Sequence, residues 1–152
     1  MGCNAADICF WLWRWSMSAD ICTKLELRGG RTEVAAEEAT KIVVDIFDNL
    51  GCQEDISRAI TGHLIDANLC GMESHGVMRV MQYAERMRNG TMRIDVQPVV
   101  RKTETGMTVV DGGMGSGIPA MALAYETAMA LTAENGMSAV SVLNTGHTGR
   151  HG

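Results

Sequence analysis

Gly115-Ser116-Gly117-Ile118-Pro119-Ala120 is the stretch whose reading decides the fold. It matches G-x-G-x-x-A and stands between a predicted strand and a predicted helix. That context fits a dinucleotide-binding turn, where glycines admit a pyrophosphate to a helix N-terminus. Such a site also wants an acid at the end of the next strand, to hold the ribose. Here that strand ends in Leu143-Asn144-Thr145, without an acid. The match also lies well inside the chain, with a hairpin in front of it. We therefore read it as a Gly-rich turn that lets a helix pack closely on a strand. A third reading, an anion held by the helix amides without that topology, stays open.

Working outward, residues 118–134 read as a helix, with Ile118, Met121, Ala122, Tyr125, Ala128, Met129 and Thr132 on one face. Asn135-Gly136 ends it, and residues 138–143 form a nearly continuous β-type run. Upstream, residues 96–101 and 107–111 read as short strands around a Thr105-Gly106 turn. Before them come three helices. The first follows Thr32 as N-cap and runs to about Leu50. The second covers residues 54–70, with Ile56, Ile60, Leu64 and Ala67 as its apolar stripe. The third starts at His75 or Gly76 and ends at Arg88, with Ser74 as N-cap and Val77, Val80, Met81, Ala84 and Met87 inside. The order is three helices, then β-β-α-β.

Gly29-Gly30 marks a boundary, and the segment before it is unusual. Its apolar run, residues 8–13, is too short to span a bilayer. It carries Asp7 where a secretory signal would be basic. We read residues 1–28 as a non-native extension, with Met17 as an alternative start. Net charge is −5, so no basic surface points to nucleic acid or an anionic membrane. The five cysteines are odd in number and form no C-x-x-C pair. That argues against a disulfide framework and fits a reducing cytoplasm. His147-x-x-x-His151 lacks further ligands at zinc spacing, so no metal is expected.

Two segments carry chemistry. Glu73-Ser74-His75-Gly76-Val77-Met78-Arg79 puts a hydroxyl, an imidazole and a guanidinium at a predicted helix start. The helix dipole there would oppose protonation of His75. Arg79, on the same helical face, can grip a carboxylate through two parallel hydrogen bonds. Asn144-Thr145-Gly146-His147-Thr148-Gly149 puts a second imidazole in a Gly-rich loop just past a strand, where scaffolds commonly hold reactive groups. Taken singly, each residue has an ordinary structural reading: a cap, a surface imidazole, a solvated arginine. His63, mid-helix, reads as structural. Only the combination points to an active site.

Residues 64–79, ending in Ser74-His75-Gly76-Val77-Met78-Arg79 and followed by Tyr83-Ala84-Glu85-Arg86 and Gly90, resemble the type-2 malate/L-lactate dehydrogenase family. Val109-Val110-Asp111-Gly112, the Gly-rich turn, Asn135-Gly136 and Gly146-His147-Thr148-Gly149 follow in the family's order. The resemblance covers about residues 32–149. It implies an NAD- or NADP-dependent oxidoreductase acting on a small 2-hydroxy or 2-keto acid, dimeric, with a non-Rossmann cofactor domain on a mixed, largely antiparallel sheet. It makes residues 29–92 a helical N-terminal segment and 93–152 an incomplete cofactor domain. His147 matches the family's proton acceptor, His75 with Ser74 an active-site pair, and Arg79 the carboxylate-binding residue. Thr148 and Gly149 fall where the loop approaches the cofactor. Arg150-His151 departs from the small residues common there, and the family's catalytic lysine would lie beyond Gly152. The alternative is a truncated, inactive remnant that dimerises or binds a partner.

Overall fold

The computed structural model describes residues 32–151. The extension expected at residues 1–28, with its three cysteines, lies outside the described residues. The first helix, α1, spans Ala36–Asn49. Thr32 does not cap it: the N-cap position is Ala35, and Glu37 and Glu38 face the helix dipole instead. Gly51, at φ 82, turns the chain into α2, Glu54–Leu69, whose Ile56, Ile60, Leu64 and Ala67 are buried as the spacing predicts.

The third helix begins later than the sequence suggests. Asn68, near the end of α2, accepts the Val77 N–H on its Oδ1 at 2.7 Å. Gly76 runs so close beneath that amide that a Cβ there would collide with Asn68 Oδ1. The chain therefore makes a short 3-10 turn, Glu73–His75, breaks at Gly76, and makes a second, Val77–Arg79. Only then does α3 run, from Val80 to Arg88. Ser74 is no helix cap, and Met81, expected inside, is exposed. Tyr83 takes the inner position, fully buried in the same core as Val80 and Met87; Ala84 is buried as well. Phe47, Ile60, Leu64 and Tyr83 form the centre of that core, and Ile118 reaches it from the Gly-rich turn.

Three strands follow as one sheet, β1 (Val99–Lys102), β2 (Thr108–Gly115) and β3 (Val140–Thr145), in the order β1-β2-β3. β1 pairs antiparallel with β2, and β2 parallel with β3. The sheet is thus mixed, with one pair of each kind. The parallel pair is joined by α4, Gly117–Asn135, whose first turn is capped by Ser116 Oγ and which ends at Gly136, φ 78. The buried face of α4 is Gly117, Ile118, Ala120 and Ala124; of the face grouped from the sequence, Tyr125 and Met129 are exposed. The helix is apolar on nearly every side, so spacing alone could not select its inner face. Ala120 and Ala124 pack with Val110, Val140 and Val142.

Candidate active site

The two 3-10 turns, rather than a helix start, present Ser74, His75 and Arg79. Ser74 Oγ lies 2.9 Å from His75 Nδ1. Arg79 donates from Nε to the Ser74 carbonyl at 2.6 Å and from a terminal nitrogen to Gln82 Oε1 at 2.9 Å. The guanidinium is therefore fixed from two sides, and its outer edge, between the terminal nitrogens, is the one left for an anion. A cavity of about 380 Å³ opens there, lined by Ser74, Met78, Arg79 and Gln82. The dipole argument for His75 falls away, because α3 begins at Val80 and its N-terminus is not at that ring.

His147 approaches His75 from the loop that follows β3. Its loop leaves β3 at Thr145, and Gly146 donates its N–H to the Gly115 carbonyl at 3.0 Å. The loop then crosses the start of α4 at the closest possible range: a Cβ on Gly117 would stand 2.7 Å from the carbonyl oxygens of both Gly146 and His147. The Gly-rich turn is filled by the protein's own main chain. Asn144, where a ribose-binding acid would stand, instead donates to Asp111 Oδ1.

The imidazole of His147 has its Nδ1 2.8 Å from Tyr83 Oη, and its ring centre 5.5 Å from that of His75. Burial holds His147 below the ordinary imidazole value, and the charges of Arg79, His75, Arg86 and His151 add to this. Burial pushes the Tyr83 phenol up, against Arg79 and Arg86, so it keeps its proton. Gly149 also directs its N–H at His147 Nδ1, at 3.2 Å. An amide can only donate, so in this arrangement Nδ1 carries the lone pair, Tyr83 donates, and the neutral ring's proton sits on Nε2.

His63, read from the sequence as structural, has its partners in the loop that bears His147. Its Nε2 accepts the Arg150 N–H at 2.7 Å, and Arg150 pairs with Asp66 one turn along α2. Gly149 packs on the His63 ring, and Thr148 Oγ1 lies 2.8 Å from His151 Nε2. No group of three or more His, Cys, Asp or Glu side chains among the described residues is placed to hold a metal. No helix among them is long and apolar enough to cross a membrane.

The fold thus gathers Ser74, His75, Arg79 and His147 into one neighbourhood. Two further residues join them whose partners the sequence did not reveal. Tyr83, four residues after Arg79, shared the quoted block, but nothing local marked it as a partner for a loop 64 positions away. His63 is joined to its loop across 87 positions, and no spacing rule reaches that far.

A mixed sheet thus follows a helical segment, and the Ser-His-Gly-x-x-Arg turn meets the Gly-His-Thr-Gly loop where the His75 and His147 rings approach. The chain belongs to the malate/L-lactate dehydrogenase family, whose model matches residues 34–152. It is 28% identical over 116 residues to the L-sulfolactate dehydrogenase of Methanothermobacter thermautotrophicus, covering 76% of this chain and 34% of that one. It is 29% identical over 121 residues to hydroxycarboxylate dehydrogenase B of Escherichia coli, covering 77% and 32%. Among solved structures it resembles malate dehydrogenase from Entamoeba histolytica, with a TM-score of 0.71 at 25% identity, covering 78% of this chain and 33% of that one. The chain spans about a third of the length of these relatives.

Proposed function

We propose that this protein is an oxidoreductase of small 2-hydroxy and 2-keto acids such as malate or lactate, with NAD or NADP as hydride partner. The observation that supports it best is the meeting of His147, Tyr83 and His75 beside the Arg79 cavity. Arg79 offers the outer edge of its guanidinium to the carboxylate. His75, held by Ser74 and 5.5 Å ring to ring from His147, orients the substrate oxygen. His147 takes the hydroxyl proton during oxidation and returns it during reduction. Accepting at Nε2 requires the ring proton to sit on Nδ1; Tyr83 Oη then turns from donor to acceptor, and the Gly149 N–H gives up its contact with Nδ1. A hydroxyl serves both states without moving its oxygen. A base held below the ordinary imidazole value is already neutral near pH 7.

The nicotinamide would supply the hydride acceptor or donor. In this reading the Gly-rich turn serves packing rather than as a dinucleotide cradle. Phosphate oxygens brought to the start of α4 would meet the carbonyl oxygens of Gly146 and His147. We assign the edge nearest the nicotinamide to the loop backbone at Thr148 and Gly149, directly after His147, with 93–152 as part of the cofactor domain and 29–92 as the helical segment. The proposal places the protein in the cytoplasm, as a homodimer.

In the intact protein, His147→Ala should lower turnover about 100-fold or more, the usual worth of a placed acid–base group. Turnover close to the parent's would remove His147 from the mechanism. A second reading, a non-catalytic dimerisation or binding module, draws on the open edge of β1, whose four residues are all exposed. NADH titration separates the two: tight binding with acid-dependent oxidation supports the enzyme, and self-association without either supports the module.

A further inference from the structure

His63 does not face the Arg79 cavity, yet several contacts converge on it. Its Nε2 accepts the Arg150 N–H at 2.7 Å. Gly149, at φ 83, lies so close that a Cβ there would collide with the ring. Asp66, three residues on along α2, takes the Arg150 guanidinium. Gly149 in turn directs its own N–H at His147 Nδ1, at 3.2 Å. Residues 147–150 are thus held on α2 by one main-chain bond, one ion pair and one glycine contact, and the same short segment bears His147.

We infer that His63 is a positioning residue: in its neutral form it latches the 147–150 loop onto α2, setting His147 against Tyr83, and its protonation opens the latch. The catalytic half of this statement rests on the acid–base role proposed for His147.

The chemistry follows from the donor. A main-chain N–H can only donate, so His63 Nε2 must keep its lone pair and the ring proton must sit on Nδ1. A second proton would put N–H against N–H and a positive ring beside Arg150. Burial opposes that proton most; Arg150 and His151 from the loop and His75 from the first 3-10 turn also oppose it, while Asp66 on α2 favours it. The latch is therefore closed near neutrality and opens on acidification below the ordinary imidazole value.

The test is amide and imidazole nitrogen NMR on the intact protein, titrated from about pH 8 to about pH 5, the range in which imidazoles switch. The Gly149 and Arg150 amide signals should shift, and their protection against hydrogen exchange, relative to the intrinsic rate at each pH, should fall, with the midpoint of the His63 ring. His63→Ala should show the open-loop signals at every pH. His63→Gln offers an oxygen acceptor without a titration, so it should keep the loop closed into acid. In turnover, His63→Ala should lose about 10- to 100-fold, the cost of misplacing a reacting group by about an ångström, at unchanged KM. His63→Gln should recover most of that loss. Arg150 signals that ignore the His63 titration, or that are the same in His63→Ala as in the parent, would overturn the latch. Full turnover in His147→Ala would overturn the acid–base reading instead and leave the NMR result standing.

Discussion

The helical side of the molecule and the sheet side are packed by different means. Among α1, α2 and α3 the centre is large side chains, Phe47, Ile60, Leu64 and Tyr83, all fully buried. Around β2, β3 and α4 the closest contacts are glycines and alanines. Gly112 lies so near Thr145 that a Cβ would fall 2.8 Å from its Cβ, and Gly117 faces two carbonyl oxygens. Side-chain packing supplies stability in proportion to the apolar surface it removes from water. Main-chain packing supplies little of that, but it sets distances tightly. His147 sits where the two regimes meet, on a loop that crosses α4 backbone against backbone and is held to α2 by His63 and Arg150.

The sharpest way to break this contrast is to substitute once in each region. Leu64→Ala removes a fully buried side chain and should cost about 3 kcal/mol, by lost transfer energy and the cavity left behind. The urea midpoint reads it, and turnover per folded molecule should hold. Gly117→Ala should cost less, about 2 kcal/mol from overpacking, but should damage turnover out of proportion because the loop must shift. Equal effects on turnover from the two variants would erase the distinction.

A smaller effect concerns acid. His63 and His147 are both held below the ordinary imidazole value of 6.5, chiefly by burial. The folded state therefore prefers both rings neutral. That contribution is complete above pH 6.5 and is lost as pH falls through the lowered values. The thermal midpoint should decline on that side and stay level from pH 7 to 8, with the decline reduced in His63→Gln. A midpoint that is level throughout would show that neither ring is coupled to folding. The smallest expected change is Tyr83→Phe, which deletes one hydroxyl and should cost about 1 kcal/mol. Its signature is kinetic: the acid limb of the rate profile should move, because Nδ1 of His147 loses the partner that both donates and accepts. An unmoved limb would reduce Tyr83 to a core residue.

Elements set by local pattern were legible in the sequence. The bounds of α2, the stop at Gly136 and the β-β-α-β order follow from periodicity and from glycines that turn the chain. Two features set by tertiary contact were not. The start of α3 depends on Asn68 intercepting the Val77 N–H, and propensity favours a helix there. The inner face of α4 depends on where the sheet lies, because its outer face is apolar too. The candidate site divides in the same way. Ser74, His75, Arg79 and His147 sit in short motifs whose chemistry is visible residue by residue. Tyr83 and His63 belong to the site only through partners 64 and 87 positions away.

The crossing of the His147 loop over α4 has a consequence for sequence drift. A contact between side chains can be rebuilt by compensating substitutions, one partner shrinking as the other grows. The contact at Gly117 is with the carbonyl oxygens of Gly146 and His147, which every residue type carries alike. Nothing on the loop's side of that crossing can mutate to make room. Divergence elsewhere can therefore remodel the core of this chain extensively, while the placement of the imidazole over α4 hangs on one residue having no side chain at all.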